Sequence, residues 1–170
     1  MIVPVIHNEL YIGDRHSFCA VDFVKNTISL IFDSSYVELT DNARAFYKRH
    51  GIVYIKSTTQ DHEGYNIFDE FDKHAQLFVT AYNDGGGKGA LLFVCDCAIS
   101  RSVTYVLLYL LKMKQTTLKA SITHIKLVVA DMAPNIGFIK QLICCENQLF
   151  GTNTVTLKEY IRFYFNSQRK

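Results

Sequence analysis

Residues 91–103 read LLFVCDCAISRSV. Large apolar side chains run to Val94, and then the chain turns to Cys95-Asp96-Cys97, Ala98-Ile99 and Ser100-Arg101-Ser102 before a second apolar run. Residues 90–94 are apolar on both faces, the pattern of a strand buried inside a parallel sheet. The second run has helical spacing and predicts a helix over 102–114. A thiol therefore stands at the carboxyl end of a buried strand, with an arginine six residues later at a helix start. In open α/β sheets ligands bind at that end of the strands. A helix start adds unpaired N–H groups and the positive end of a dipole, which together hold anions. A cysteine facing such a site has its thiolate stabilised and can act as a nucleophile. Arg101 contributes a fork of donors matched to phosphate oxygens. Cys-x5-Arg between strand and helix thus suits covalent attack on a phosphate monoester. On spacing alone, a free loop thiol and a surface arginine would be the better reading; the strand–loop–helix context turns the balance.

Outward from this loop, segments of two periods alternate. The N-terminal MIVPVIHNELYIG reads as strand, with its clearest part at 9–12, and residues 28–33 and 51–55 predict two more strands. A short helix is expected at 17–25, a second at 41–49 capped by Thr40 or Asp41, and a third capped by Asn66. The polar KSTTQDHEGY at 56–65 is a loop, and NDGGGKG at 83–89 is another. Helices at 117–130, 135–149 and 154–165 complete the chain. This alternation predicts an α/β domain with a central, mostly parallel sheet flanked by helices.

The 170 residues suit one domain, and 49% apolar composition supplies a core and excludes the disordered class. A net charge of +2, with no basic stripe, argues against a nucleic-acid partner. No segment is long and apolar enough to span a membrane, and the N-terminus lacks a basic leader and cleavage site. Five cysteines without paired zinc spacing fit a reducing compartment, so the cytoplasm is expected, with the nucleus as the other option. Cys19, Cys144 and Cys145 stand in apolar contexts and read as buried free thiols.

CDCAISRS, followed by an apolar helix, resembles the signature loop of the cysteine-dependent dual-specificity protein phosphatases, whose usual form is His-Cys-x-x-Gly-x-Ser-Arg-Ser. Residues 9–13 (ELYIG) resemble the family's early LYLG strand, and residues 28–33 (ISLIFD) its VLNVT strand. Residues 133–142 (APNIGFIKQL) are similar to its SPNxGFxxQL helix start, and 146–151 (ENQLFG) to that helix's end. Several dispersed matches in the right order, covering about 150 residues, make the resemblance specific. It implies a protein-tyrosine-phosphatase-like domain at 1–151, with residues 152–170 as a C-terminal extension folded as a helix against the domain or a partner. It implies Cys95 as nucleophile, and Arg101 with the loop from Asp96 through Cys97, Ala98, Ile99 and Ser100 as the phosphate cradle. Ser100 takes the role of the hydroxyl beside the thiol, and Ser102 and Asn135 are supporting residues. DHEGYNI at 61–67 resembles the acid loop of mitogen-activated-protein-kinase phosphatases, which makes Asp61 the general acid and Asn66 the residue that seats its loop. No metal or cofactor is called for. The implied substrate is a phosphoprotein, a kinase among the options, and a dimer is an option for the C-terminal segment.

The loop departs from the family pattern. Val94 stands where the family has His, which ties down the loop and supports the thiolate. Ala98 replaces the loop Gly; at positive φ this costs about 1 kcal/mol. Asp96 puts a negative charge beside the thiol. Within IKLVVAD at 125–131, Lys126 remains of a basic stretch that in relatives also carries an arginine. Cys97 reads as a small loop filler rather than a redox partner of Cys95, because thiols two residues apart bridge with strain. Two functions follow: a phosphoprotein phosphatase working through a phosphocysteine, or a pseudophosphatase that binds phosphoprotein or a kinase partner. Retention of Cys95, Arg101 and Asp61 together favours the enzyme.

Overall fold

The computed structural model describes residues 1–83 and 89–167, with side chains described to Phe163. Most of the expected glycine-rich loop at 83–89 therefore lies outside the described residues. Five strands form one sheet in the order β1-β2-β5-β3-β4: β1 (Ile2–Ile6), β2 (Leu10–Gly13), β3 (Ile28–Asp33), β4 (Val53–Lys56) and β5 (Ala90–Val94). Only β1 runs antiparallel; the other neighbours are parallel. The N-terminal stretch is thus two strands of a hairpin rather than one, because Asn8 takes the left-handed conformation (φ 60°) that reverses the chain.

β5 is central and fully buried, as its two-sided apolar pattern demands. Leu91 and Phe93 face one core; Ala90, Leu92 and Val94 face the other. The first core is covered by α3 (Ile67–Asn83), α4 (Arg101–Lys114), α5 (Leu118–Val128) and α6 (Ile136–Phe150). Its centre is a knot of rings, with Phe32, Phe78 and Tyr105 all within 6 Å of Phe93 between ring centroids. The smaller core lies under α1 (Val21–Thr27) and α2 (Asp41–Arg49), through Val24 and Tyr47. The helix expected at 17–25 divides into a 3-10 turn at Ser17–Cys19 and α1. α4 is buried from Arg101 through Leu111, which explains why it is apolar nearly all round. α7 (Leu157–Ser167) packs on α6; Val155 before it and Tyr160 on it join the main core, and the Tyr160 hydroxyl donates to the Pro134 carbonyl (3.0 Å). Of the three thiols expected to be buried, only Cys145 is; Cys19 ends the 3-10 turn on the surface and Cys144 lies on the outer face of α6.

β5 pairs with β2 and β3 so that Val94 stands level with Gly13 and Asp33. The segments leaving these three strands consequently emerge side by side. Cys95 N–H donates to the Gly13 carbonyl (3.2 Å), and Ser34 N–H to the Val94 carbonyl (2.8 Å).

Candidate active site

Cys95 sits just beyond β5, almost wholly buried, and its Sγ lies 3.1 Å from the Ser102 hydroxyl in the first turn of α4. The hydroxyl beside the thiol is therefore that of Ser102, not Ser100. Ser100 precedes α4 with an irregular backbone, which turns its side chain away from the thiol and the helix alike, toward Asp61. Between the thiol and α4, the N–H groups of Asp96, Cys97, Ala98, Ile99 and Ser100 donate no hydrogen bond to any of the described residues. Such a run of unpaired donors beside a helix N-terminus is an anion cradle. Ala98 makes the turn with φ 62°, the left-handed conformation for which glycine is the usual residue, and its methyl is completely buried in the main core. The Ile99 carbonyl accepts from Ala133 N–H (2.8 Å), which ties the loop to the segment leading into α6. Cys97 is exposed.

Arg101 is 4% exposed and links this loop to the segments that follow β3 and β4. Its Nη1 donates to the carbonyls of Ser34 and, at 3.4 Å, Thr59. Its Nη2 donates to Asp96 Oδ2. Its Nε has no hydrogen-bond partner among the described residues, and the Ser34 hydroxyl is likewise buried and unpartnered. The Tyr36 ring covers the guanidinium face at 4.7 Å, and Tyr36 N–H donates to Asp96 Oδ1 (3.1 Å). Asp96 thus points inward, onto the arginine. The segment bearing Tyr36 is held from below by buried Asp33, which accepts from Ser35 N–H, the Tyr54 hydroxyl and Lys56 Nζ. Lys56 Nζ also donates to the carbonyls of Ser35 and Val37. Burial and the Asp33 carboxylate push the Tyr54 hydroxyl well above its usual pKa, so it stays a donor.

Asp61 reaches the same site from the loop before α3. Its Oδ1 accepts from Ser100 Oγ (2.9 Å) and Asn135 Nδ2 (2.8 Å), and its Oδ2 lies 3.9 Å from Arg101 Nε. Asn135 also caps α6 by accepting from Phe138 N–H (2.9 Å). Asn66 caps α3, as its place before that helix suggests: its side chain pairs with Asp69 through both amide atoms and is exposed, with no hydrogen bond among the described residues to the acid loop it was expected to seat. The loop is seated by Gln141, which accepts from Ile67 N–H (3.1 Å) and donates to the Tyr65 carbonyl (2.8 Å). Lys126 lies over the ring of Phe163 on α7, its ammonium 5.3 Å from the ring centroid.

Cys95, Arg101, Asp61, Ser100, Ser102 and Asn135 are therefore brought together from the β5–α4 loop, the β4–α3 loop and the start of α6. Sequence reasoning missed Ser34, Tyr36, Thr59 and Gln141. The first two had a usable signal, since they follow the strand that neighbours β5 and so leave the sheet at the same end.

A mostly parallel sheet with a buried Cys-x5-Arg loop at its carboxyl edge and a carboxylate opposite has the layout expected of a cysteine-dependent phosphatase domain. The family described as dual specificity phosphatase, catalytic domain, matches residues 10–148, and the chain belongs to it. Human dual specificity protein phosphatase 5 is 38% identical over 141 residues, covering 82% of this chain and 34% of that protein. Human dual specificity protein phosphatase 21 is 36% identical over 107 residues, covering 63% of this chain and 55% of that protein, so the chain spans less than two thirds of either. The crystal structure of human DUSP28 has the same fold, with a TM-score of 0.74 at 20% identity over 87% of this chain and 94% of that one.

Proposed function

We propose that this chain hydrolyses phosphate monoesters of phosphoproteins through a phosphocysteine, with Cys95, Arg101 and Asp61 as the working residues. The observation that carries the reading is the convergence of a buried thiol, a free N–H cradle and an opposed carboxylate on one point. Cys95 Sγ attacks phosphorus and the bond to the substrate oxygen breaks. Asp61 gives its proton to that leaving oxygen, while the loop N–H groups and Arg101 hold the remaining oxygens. Asp61 then takes a proton from water as the water oxygen attacks phosphorus; the S–P bond breaks and inorganic phosphate leaves. The Ser102 hydroxyl, 3.1 Å from Sγ, donates to the departing thiolate. Phosphoprotein as the substrate class is supported by likeness to the two human dual specificity protein phosphatases, and substrates of kinase type, met in the cytoplasm or nucleus, are the finer form of this proposal.

The test is hydrolysis of p-nitrophenyl phosphate by the wild type and Cys95→Ser. Turnover that vanadate inhibits and the variant loses supports the enzyme. Equal, background-level rates in both would sink it in favour of the binding-only pseudophosphatase.

A further inference from the structure

Arg101 is built to take an anion side-on, and one half of that side is already taken from within the chain. In a guanidinium, Nε and the nearer terminal nitrogen form the pair that holds a carboxylate or phosphate in two parallel hydrogen bonds. Nη1 faces the other way and is anchored to the Ser34 and Thr59 carbonyls, which fixes the orientation of the fork. Of the two anion-binding donors, Nη2 carries the Asp96 carboxylate, while Nε makes no hydrogen bond among the described residues and has only the Asp61 carboxylate nearby, at 3.9 Å. A phosphoryl group seated on the loop N–H cradle needs both.

We infer that Asp96 is a built-in competitor for phosphate, a carboxylate that occupies half of the Arg101 fork until a more highly charged oxyanion displaces it. The inference rests on the phosphatase reading of the loop. Asp96 follows the nucleophile directly, so its backbone stays in the cradle while its side chain lies on the fork. Its second oxygen is held by Tyr36 N–H (3.1 Å), and the Tyr36 ring covers the guanidinium 4.7 Å away. The carboxylate and the ring together close the arginine, which is why it is so little exposed despite lying at the mouth of a binding loop. Displacement by a phosphate dianion exchanges one charge-assisted bond for two and frees the Tyr36 amide. The device selects for dianionic phosphate and against singly charged anions, which cannot outcompete a carboxylate that is already tethered.

The experiment titrates sodium tungstate into the full chain by calorimetry, in the wild type, Asp96→Asn and Asp96→Ser, with thermal melts of each. Asn keeps an acceptor for Tyr36 N–H but removes the charge on Nη2. Tungstate is expected to bind about tenfold more tightly to both variants than to the wild type. Unchanged or weaker binding to variants that melt near the wild-type temperature would overturn the inference and make Asp96 a support of the pocket. A second measurement needs no variant: saturating tungstate should speed hydrogen exchange across residues 34–37 of the wild type, and unchanged or slower exchange there counts against displacement. Neither readout requires turnover, so loss of the phosphatase reading in the Cys95→Ser comparison would leave this one separately decided.

Discussion

Asn135 caps α6 with its side-chain oxygen and, through the amide nitrogen of the same side chain, donates to Asp61 Oδ1 at 2.8 Å. One residue thus starts a helix and positions the carboxylate proposed as general acid. The two roles can be separated. Asn135→Ser keeps a good cap and loses the reach to Asp61; it is expected to lower kcat about tenfold with little change in stability. Asn135→Ala should show the same kinetic loss and melt lower, by about 1 kcal/mol. Wild-type kcat in a folded Asn135→Ser would show that Asp61 does not depend on it.

Gly137, the second residue of α6, has no room for a side chain. A Cβ there would lie 1.9 Å from the backbone carbonyl oxygen of Glu63. Gly137→Ala must therefore push the 61–66 loop away from Cys95. The expected result is a kcat lower by about 10- to 100-fold, with tungstate affinity unchanged because Cys95 and Arg101 stay in place. Steady-state kinetics beside calorimetry reads both; an equal loss in each would mean that the whole pocket had moved.

Ala98 and Val94 call for opposite substitutions with different costs. Ala98→Gly relieves the left-handed strain of about 1 kcal/mol but gives up a buried methyl worth about 0.8 kcal/mol and raises unfolded-chain freedom. Stability should change by less than about 1 kcal/mol. Val94→His instead places an imidazole in the apolar cluster formed with Tyr11, Ile31 and Leu92, and is expected to destabilise by about 1–3 kcal/mol. Chemical denaturation of the two variants checks the order, and a more stable Val94→His would show an acceptor near that position.

Cys145 is held in the core, and burial pushes its thiol up to about 11 from the usual 9.0. At pH 8 iodoacetamide should label Cys19, Cys97 and Cys144 well before Cys145, as read by peptide mass spectrometry. The sign for stability follows. Between pH 9.0 and about 11 the folded chain keeps a proton that the unfolded chain has lost, so this group's contribution to stability falls as pH rises through that window. Labelling of Cys145 as fast as Cys144 would contradict its burial.

Much of the fold was legible from periodicity alone. β3 and β5 carry runs too apolar for any place but the middle of a sheet, and α2, α5 and α6 begin at Thr40, Thr117 and Asn135, whose side chains cap them as their residue types suggest. The hairpin at Asn8 was missed although the polar His7-Asn8-Glu9 breaks the apolar run; so short a break does not by itself tell a turn from the exposed face of one continuous strand. The surface positions of Cys19 and Cys144 were missed because apolar neighbours in sequence need not be neighbours in space.

The candidate site divides the same way. Local sequence determined the strand, the Cys95–Arg101 loop and the helix behind it, because six residues between a buried strand and a helix leave the chain few paths and the thiol and arginine share that short turn. Tertiary structure alone decided what faces them. Ser102 rather than Ser100 meets the thiol, since the turn at Ala98 sets which hydroxyl points inward. Asp61 is held by Ser100 and Asn135, 39 and 74 residues away, and Asp96 closes on Arg101 under a ring carried by the neighbouring strand's loop. Hydrogen bonds between distant segments depend on the register of β2, β5 and β3, which is a property of the packed sheet and of no single stretch of the chain.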